Sequence, residues 1–374
     1  MRRAWVLALL ATGCGSSSLD GSTILNLPYA ALRGNIVFAT NAVRGSGGYD
    51  LYAIPFPNIQ AGTAVTAIQL TSGSDNETQP AVSITGAGMA FAGPDGIYVI
   101  TAPEGRMRRI TNNAGTTFVD TLPAVSPNAD RVAWVRNDTM SNESYIMIGN
   151  FDGTSIKEVH KKPGVAQDAP AFDPRPDPRV TRLAWTEFVT ASIVGGNGPA
   201  DYGIWLEDYT TGTGLYICHA QNFVTPGADK LPPRDPPYRC FGQHLVWPNS
   251  DTMVLAQDML EVNINGADLH TVYPELLTSF SRQTDGSPVL SVGTPGFFPA
   301  FPLSSSYAPG VQFMTFDGVI NQIEGDGSTH QIFVAALDGT SVSRVHITNL
   351  QNSVDTITTA NYLFSVATPR IVPP

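Results

Sequence analysis

A chain of 374 residues with 42% hydrophobic side chains can bury a large core, yet only 14% of it is charged, and Gly (35) and Pro (29) are plentiful. That balance excludes an assembly of long, salt-bridged helices and favours many short strands joined by turns. A net charge of −11, with the run Arg106-Met107-Arg108-Arg109 as its densest basic cluster, excludes the phosphate-binding surface that nucleic acids require.

The first element is an address. Arg2 and Arg3 precede an apolar run over residues 4–11, and small residues then lead to Cys14 and Gly15-Ser16-Ser17-Ser18. The run is too short to span a bilayer. Leu10-Ala11-Thr12-Gly13-Cys14 resembles the lipobox of bacterial lipoproteins, with Ala11 where the usual pattern has leucine. The resemblance implies cleavage before Cys14, acylation of its sulfur and, because Gly15 rather than Asp follows, sorting to the outer membrane of a Gram-negative cell. An ordinary signal peptide cut nearby is the alternative, and both readings export the chain. Loss of Arg2 and Arg3 takes the net charge from −11 to −13. Residues 1–14 therefore read as a leader with its acylated cysteine, 15–27 as a short tether and 28–374 as the folded body.

From residue 28 onward one phrase recurs: a proline, a small-apolar pair, a turn, and a strand that carries an aromatic. Pro28-Tyr29-Ala30 leads to Phe38, Pro80-Ala81-Val82 to Phe91, Pro123-Ala124-Val125 to Trp134, Pro170-Ala171-Phe172 to Trp185, and Pro299-Ala300-Phe301 to Phe313. The second and third copies share a spacing of eleven residues, which fixes a common register. Leu245-Val246-Trp247 with Pro248-Asn249-Ser250-Asp251 parallels Pro127-Asn128-Ala129-Asp130 and places Leu255 in the same slot, making six copies. The slots lie about 55 residues apart on average, above the ~40–50 of common propeller repeats, and loop insertions account for the surplus.

After each aromatic comes another apolar strand and a turn. Asp152-Gly153-Thr154-Ser155 and Asp338-Gly339-Thr340-Ser341 are nearly copies, with Asn265-Gly266 in the equivalent place, and each supplies the positive φ of a tight hairpin. The unit thus has four strands. A lone four-stranded sheet that is apolar on both faces cannot shield itself, whereas radial stacking hides each face against the next. Either residues 24–31 or residues 362–366 are expected to complete a sheet begun at the opposite terminus. A tandem of β-sandwiches is the rival architecture.

Within the body only Cys218 and Cys240 remain, an even pair in an exported chain, flanking a stretch rich in Pro and Gly. A disulfide between them is the natural reading, with a loop-entropy value of about 3 kcal/mol.

The run Pro123-Ala124-Val125-Ser126-Pro127-Asn128-Ala129-Asp130-Arg131-Val132-Ala133-Trp134 resembles the repeat of TolB-type, WD-like propellers, where Ser-Pro-Asp-Gly precedes an Ile-Ala-Phe strand. The likeness covers most of residues 28–349. The usual Asp-Gly pair is matched by Ala129-Asp130 in the best copy and by Gly86-Ala87 in its neighbour. The resemblance implies an all-β fold, a single propeller of six four-stranded blades, and contacts with envelope proteins.

Chemistry is sparse. Neither Gly-x-Ser-x-Gly nor His-Glu-x-x-His occurs, and the six histidines, at 160, 219, 244, 270, 330 and 346, are scattered singly, as surface or packing histidines are. The loop from Glu324 to His330 lacks the calcium-binding ladder and reads as a solvated hairpin tip. Phe91, Trp134, Trp185 and Phe313 occupy the fixed slot and are assigned to packing between sheets. Tyr202, Trp205, Tyr209 and Tyr216 crowd the fourth unit beside the long connections, where a binding surface is expected; covering a sheet edge is the competing role. The expectation is a non-catalytic propeller, without cofactor or metal, that binds an envelope protein or glycan and no nucleic acid. The alternative is a carbohydrate-active lyase or hydrolase with its site in the central channel.

Overall fold

The computed structural model describes residues 35–41, 48–55, 65–72, 75–102, 105–188 and 202–219, individual strands between 245 and 344 together with residues 345, 347 and 350, and the strand 366–372. All regular structure among them is β. The first sheet begins with β1 (Asn35–Thr40), β2 (Asp50–Pro55) and β3 (Ile68–Gln69). The second holds β4 (Thr78–Val82), β5 (Gly88–Gly93), β6 (Gly96–Thr101) and β7 (Met107–Arg109). The third holds β8 (Phe118–Val125), β9 (Arg131–Asp138), β10 (Glu143–Asn150) and β11 (Lys157–His160), and the fourth β12 (Ala166–Phe172), β13 (Arg182–Phe188), β14 (Tyr202–Asp208) and β15 (Thr213–His219). A fifth comprises β16 (Leu245–Val246), β17 (Thr252–Leu255), β18 (Leu260–Asn263) and β19 (His270–Thr271), followed by a hairpin of β20 (Phe280–Arg282) and β21 (Pro288–Leu290). The sixth contains β22 (Phe301–Tyr307), β23 (Phe313–Val319), β24 (His330–Ala336) and β25 (Val342–Arg344).

The chain then returns. Its last strand, β26 (Val366–Val372), pairs antiparallel with β1 and completes the first sheet in the order β26-β1-β2-β3. The closing strand is therefore C-terminal and falls later than the 362–366 segment expected; Pro28-Tyr29-Ala30 lies outside the described residues. In every other four-stranded sheet the strands follow chain order. Strands β26, β4, β8, β12, β16 and β22 touch one another in a closed cycle, so they are the inner strands of a ring, and the architecture is a β-propeller.

Proline sets a device on the inner strands. It cannot donate to a ladder, so the pairing must slip where it falls. The register shifts between Thr78 and Ala81, Thr121 and Ala124, and Asp168 and Ala171, each time around an x-Pro pair. β26 breaks register around Thr368-Pro369 in the same way. The residues before the prolines, Gln79, Leu122 and Ala169, have φ of 54°, 51° and 43°, a left-handed conformation that costs a non-glycine residue roughly 1–2 kcal/mol. One such bulge reaches across to the next: the Leu122 N–H donates to Gln79 Oε1 at 2.8 Å.

The aromatic slot explains how the sheets stack. Phe38, Phe91, Trp134 and Trp185 stand on the second strand from the axis, each with 0% exposure. Phe91 packs with Val37, Ala39, Leu51 and Ala53 of the first sheet, and Trp134 with Ala90, Ile97 and Val99 of the second. Trp185 packs with Ala133, Val135, Ile146 and Ile148 of the third. Each of these last three rings fills the face of the preceding sheet, worth roughly 1.5–3 kcal/mol for each large side chain so buried.

The turn between inner and second strands is a side-chain bracket. Ser126 Oγ accepts from the Asp130 and Arg131 N–H groups at 3.2 and 2.9 Å, and Ser83 Oγ accepts from Gly88 N–H at 3.0 Å. Positive φ falls on Gly86 (72°) and Ala129 (55°), so the glycine slot is the first residue of each expected pair and Ala129 fills it under strain. Consecutive turns are tied together, Thr85 Oγ1 donating to Pro127 O at 2.5 Å and Asn128 Nδ2 to Pro176 O at 2.8 Å.

Candidate functional site

The densest gathering of ionisable groups among the described residues lies in the seam between the third and fourth sheets. Antiparallel register places Trp185 opposite Trp205, and Trp205 opposite Tyr216, so these three share one face of the fourth sheet with Glu187 and Glu207, two residues along their strands. That face is turned to β9 and β10. His160, at the end of β11, and Lys162 just beyond it enter the seam from the third sheet.

Their contacts form one network. His160 Nδ1 lies 3.0 Å from Glu207 Oε2 in a hydrogen bond. Its Nε2 lies 3.2 Å from Glu187 Oε1 but off the hydrogen-bonding line, so that attraction is electrostatic. The Trp185 and Trp205 indoles donate to Glu187 Oε1 at 3.2 Å and Glu207 Oε2 at 2.9 Å. The Tyr216 hydroxyl donates to Glu187 Oε2 at 2.6 Å, and Lys162 Nζ contacts that hydroxyl and stands 3.6 Å from the same carboxylate oxygen. The imidazole sits between the indoles, with ring centroids 5.1 Å from Trp185 and 5.3 Å from Trp205.

Burial decides what this network can do. The Glu187 and Glu207 side chains are 0% and 3% exposed, while His160 and Lys162 keep 18% and 35%. Burial alone would lower the His160 pKa, but Glu187 and Glu207 outweigh it and hold the imidazole up at about 9. Burial would raise the Glu187 carboxyl; His160, Tyr216 and Lys162 instead keep it below its ordinary range. Burial and the adjacent Glu187 both push the Tyr216 phenol upward. At neutral pH the seam therefore sets a protonated His160 against an ionised Glu187, among aromatic rings.

Trp205 and Tyr216 of the expected binding surface are thus members of this network, their rings edge to face at 4.7 Å. Tyr209 packs edge-on against Phe172 at 6.1 Å, and its carbonyl accepts from Lys157 Nζ at 2.8 Å. Tyr202 opens β14 opposite Phe188, and Cys218 lies on β15 opposite Ile204. The side chains of Tyr202 and Cys218, and all of Cys14 and Cys240, lie outside the described residues. His160, Lys162, Glu187 and Glu207 escaped sequence reasoning. Their signal is the doubled Trp-x-Glu of Trp185-Thr186-Glu187 and Trp205-Leu206-Glu207, two strands that pair with their tryptophans opposed.

The inner strands with described side chains are chemically quieter. On β4, β8 and β12 the side chains that are not buried are those of Thr78, Gln79, Thr121 and apolar residues, whereas Asp120 and Asp168 are buried. Asp120 is gripped by Arg136, Nε to Oδ1 at 2.7 Å and Nη2 to Oδ2 at 2.8 Å. Among the described residues no group of three His, Cys, Asp or Glu side chains is disposed to hold a metal ion.

No protein-family model matches the sequence, and no curated protein matches it. Solved structures do. TolB from Acinetobacter baumannii is 13% identical with a TM-score of 0.54, over 91% of this chain and 67% of that one. Nidogen in its laminin complex is 10% identical with a TM-score of 0.47, over 90% and 97%. Oligogalacturonate lyase from Vibrio parahaemolyticus is 13% identical with a TM-score of 0.43, over 71% and 76%. The first likeness shows the fold, a TolB-like β-propeller; the other two are too distant to bear on function.

Proposed function

We propose that this TolB-like propeller is an exported six-bladed scaffold that binds an envelope protein or glycan without transforming it. In this reading an acyl group on Cys14 tethers it to the outer membrane, and a disulfide between Cys218 and Cys240 staples the long connection of the fourth unit. One observation carries the scaffold reading: among the described residues the ionisable side chains that converge do so inside a seam between two sheets, with carboxylates at 0% and 3% exposure. Of the inner strands, where a channel enzyme would place its acid and base, the three with described side chains, β4, β8 and β12, present hydroxyl, amide and apolar groups, and their carboxylates are buried.

Affinity capture from envelope extracts, with the full chain as bait, tests the proposal. A specific, saturable protein or glycan partner recovered unmodified supports it; turnover of a polysaccharide by the purified chain overturns it. The tether is tested by fractionation with acyl labelling, in which Cys14→Ser should leave the membrane and lose label, and equal retention removes the anchor from the account. Mass measurement without reductant should find the exported chain lighter by two hydrogens, while free thiols at Cys218 and Cys240 refute the staple.

A further inference from the structure

The seams are not alike. Between the first and second sheets, and between the second and third, the facing cores are apolar: Leu51 and Ala53 against Phe91 and Ile100, then Ala90 and Val99 against Val132 and Trp134. Charged groups beside the first of these seams include Glu77, which accepts from Thr71 Oγ1 at 3.3 Å, and Asp95, which pairs with Arg109 of its own sheet. The next seam carries the same apolar layer near β9 and β10 but adds a charged outer layer. Every ionic contact of that layer crosses from one sheet to the other. His160 and Lys162 belong to the third sheet's outer edge, and Glu187 and Glu207 to the middle strands of the fourth. We propose that His160, held between Glu187 and Glu207, is a proton-operated latch that fixes the third sheet to the fourth and lets this seam loosen when the imidazole loses its proton.

Charge balance gives the reason. With His160 protonated, the imidazolium lies against both carboxylates; with it neutral, Glu207 loses that partner, Glu187 keeps Lys162 at 3.6 Å, and both carboxylates have almost no access to water. An uncompensated buried charge is among the costliest defects a protein can hold. Among the described side chains, the remaining titratable groups around the imidazole do not supply the missing charge. Tyr216, from β15, donates a neutral hydroxyl. Lys161 is engaged at 2.8 Å with Glu143, at the start of β10, and lies over the Tyr145 ring. Lys157 of β11 bonds the Tyr209 carbonyl. From β12, Gln167 shares the row of Glu187 and is uncharged, with its N–H donating to Ser144 Oγ at 2.7 Å. His219 stands in the same row by register, opposite Gly203, with its side chain outside the described residues.

The direction with pH follows. A group whose folded pKa is raised, here from 6.5 to about 9, lends stability that is whole below 6.5 and is lost as pH climbs through 9. Each unit in that window weakens the latch about tenfold. On the acid side the latch holds until Glu187 takes a proton, below its ordinary range. The strands so controlled are β13, β14 and β15, from which the connections 189–201 and 220–244 depart. Proton concentration thus sets how firmly the roots of the two long connections are held.

Hydrogen exchange of the full chain, followed by mass spectrometry at pH 6, 7.5 and 9 and corrected for intrinsic rates, tests this. Protection in β11 and β14 should fall about tenfold per unit between 6.5 and 9 while protection in β5 stays level. His160→Gln should begin at the loosened level and show no slope. An equal decline in all sheets, or a slope that survives in His160→Gln, overturns the latch. A His160 imidazole resonance that titrates at or below 6.5 in the native chain does so as well, without any variant.

Discussion

The seam between the second and third sheets and the seam between the third and fourth do the same job with different chemistry. In the first, Trp134 enters an apolar bed of Ala90, Ile97 and Val99; in the second, Trp185 occupies the matching slot, but its indole is a hydrogen-bond donor to a buried glutamate. The repeat fixes where a large ring must go. It leaves open what surrounds the ring, and one seam has used that freedom to set His160 and Lys162 against two buried carboxylates. Non-directional packing tolerates many sequences, whereas a charged network holds only when each member is in place.

Truncation in the apolar seam should have the largest effect. Trp134→Ala empties a site of 0% exposure and should cost about 3–5 kcal/mol in urea unfolding, equally at pH 6 and pH 9. Trp134 Nε1 has no hydrogen-bond partner, so Trp134→Phe, which removes that buried donor, should lose distinctly less. A strong pH dependence of the Trp134→Ala loss would erase the distinction between the seams.

The ionic seam should respond almost as strongly but cooperatively. Glu187→Gln keeps the shape and acceptor of the side chain yet leaves Glu207 as the one carboxylate beside His160 and removes the one beside Lys162, and should cost about 3 kcal/mol. His160→Gln combined with it should cost less than the two single losses together by about 1–3 kcal/mol, because the partners share one network. Strict additivity in that double-mutant cycle would mean the two groups are independent, and the network would reduce to ordinary packing.

How much of this could be read from residues alone depends on the range of the contact. The aromatic slots and the Asp152-Gly153 turn are local patterns, and each appears where its spacing placed it. Closure was ambiguous because both termini offered a strand. β26 wins it with Thr368-Pro369, the same x-Pro break that marks β4, β8 and β12. The network was illegible for a physical reason: His160 and Glu207 are separated by 47 residues and meet only because two sheets stack at a given depth. Periodicity places a strand and its faces, but it does not say which polar group stands across a seam.

Glycine at a close approach gives a smaller test. A Cβ on Gly214 would come within 2.6 Å of the Trp205 ring, whereas one on Gly212 would meet nothing within 4 Å. Gly214→Ala should therefore push Trp205 off Glu207 and cost about 1–3 kcal/mol, with a matching change in tryptophan fluorescence. Gly212→Ala, at φ +71°, should show only backbone strain of about 1 kcal/mol and no spectral change. Indistinguishable spectra for the two variants would place the ring elsewhere.

The smallest expected effect runs in the stabilising direction. Ala129 holds φ 55° in a turn whose neighbour uses Gly86 at 72°, so the bracket made by Ser126 is closed against a steric penalty. Ala129→Gly removes that penalty of roughly 1–2 kcal/mol while giving the unfolded chain more freedom, worth about 0.5–1 kcal/mol the other way. A net gain of a few tenths to about 1 kcal/mol should appear in the unfolding midpoint. Ala129 also packs against the apolar seam, so a loss instead of a gain would show that its methyl contributes more there than its backbone costs. In that case even the turns of the apolar seam are held by packing, and the contrast with the ionic seam becomes sharper.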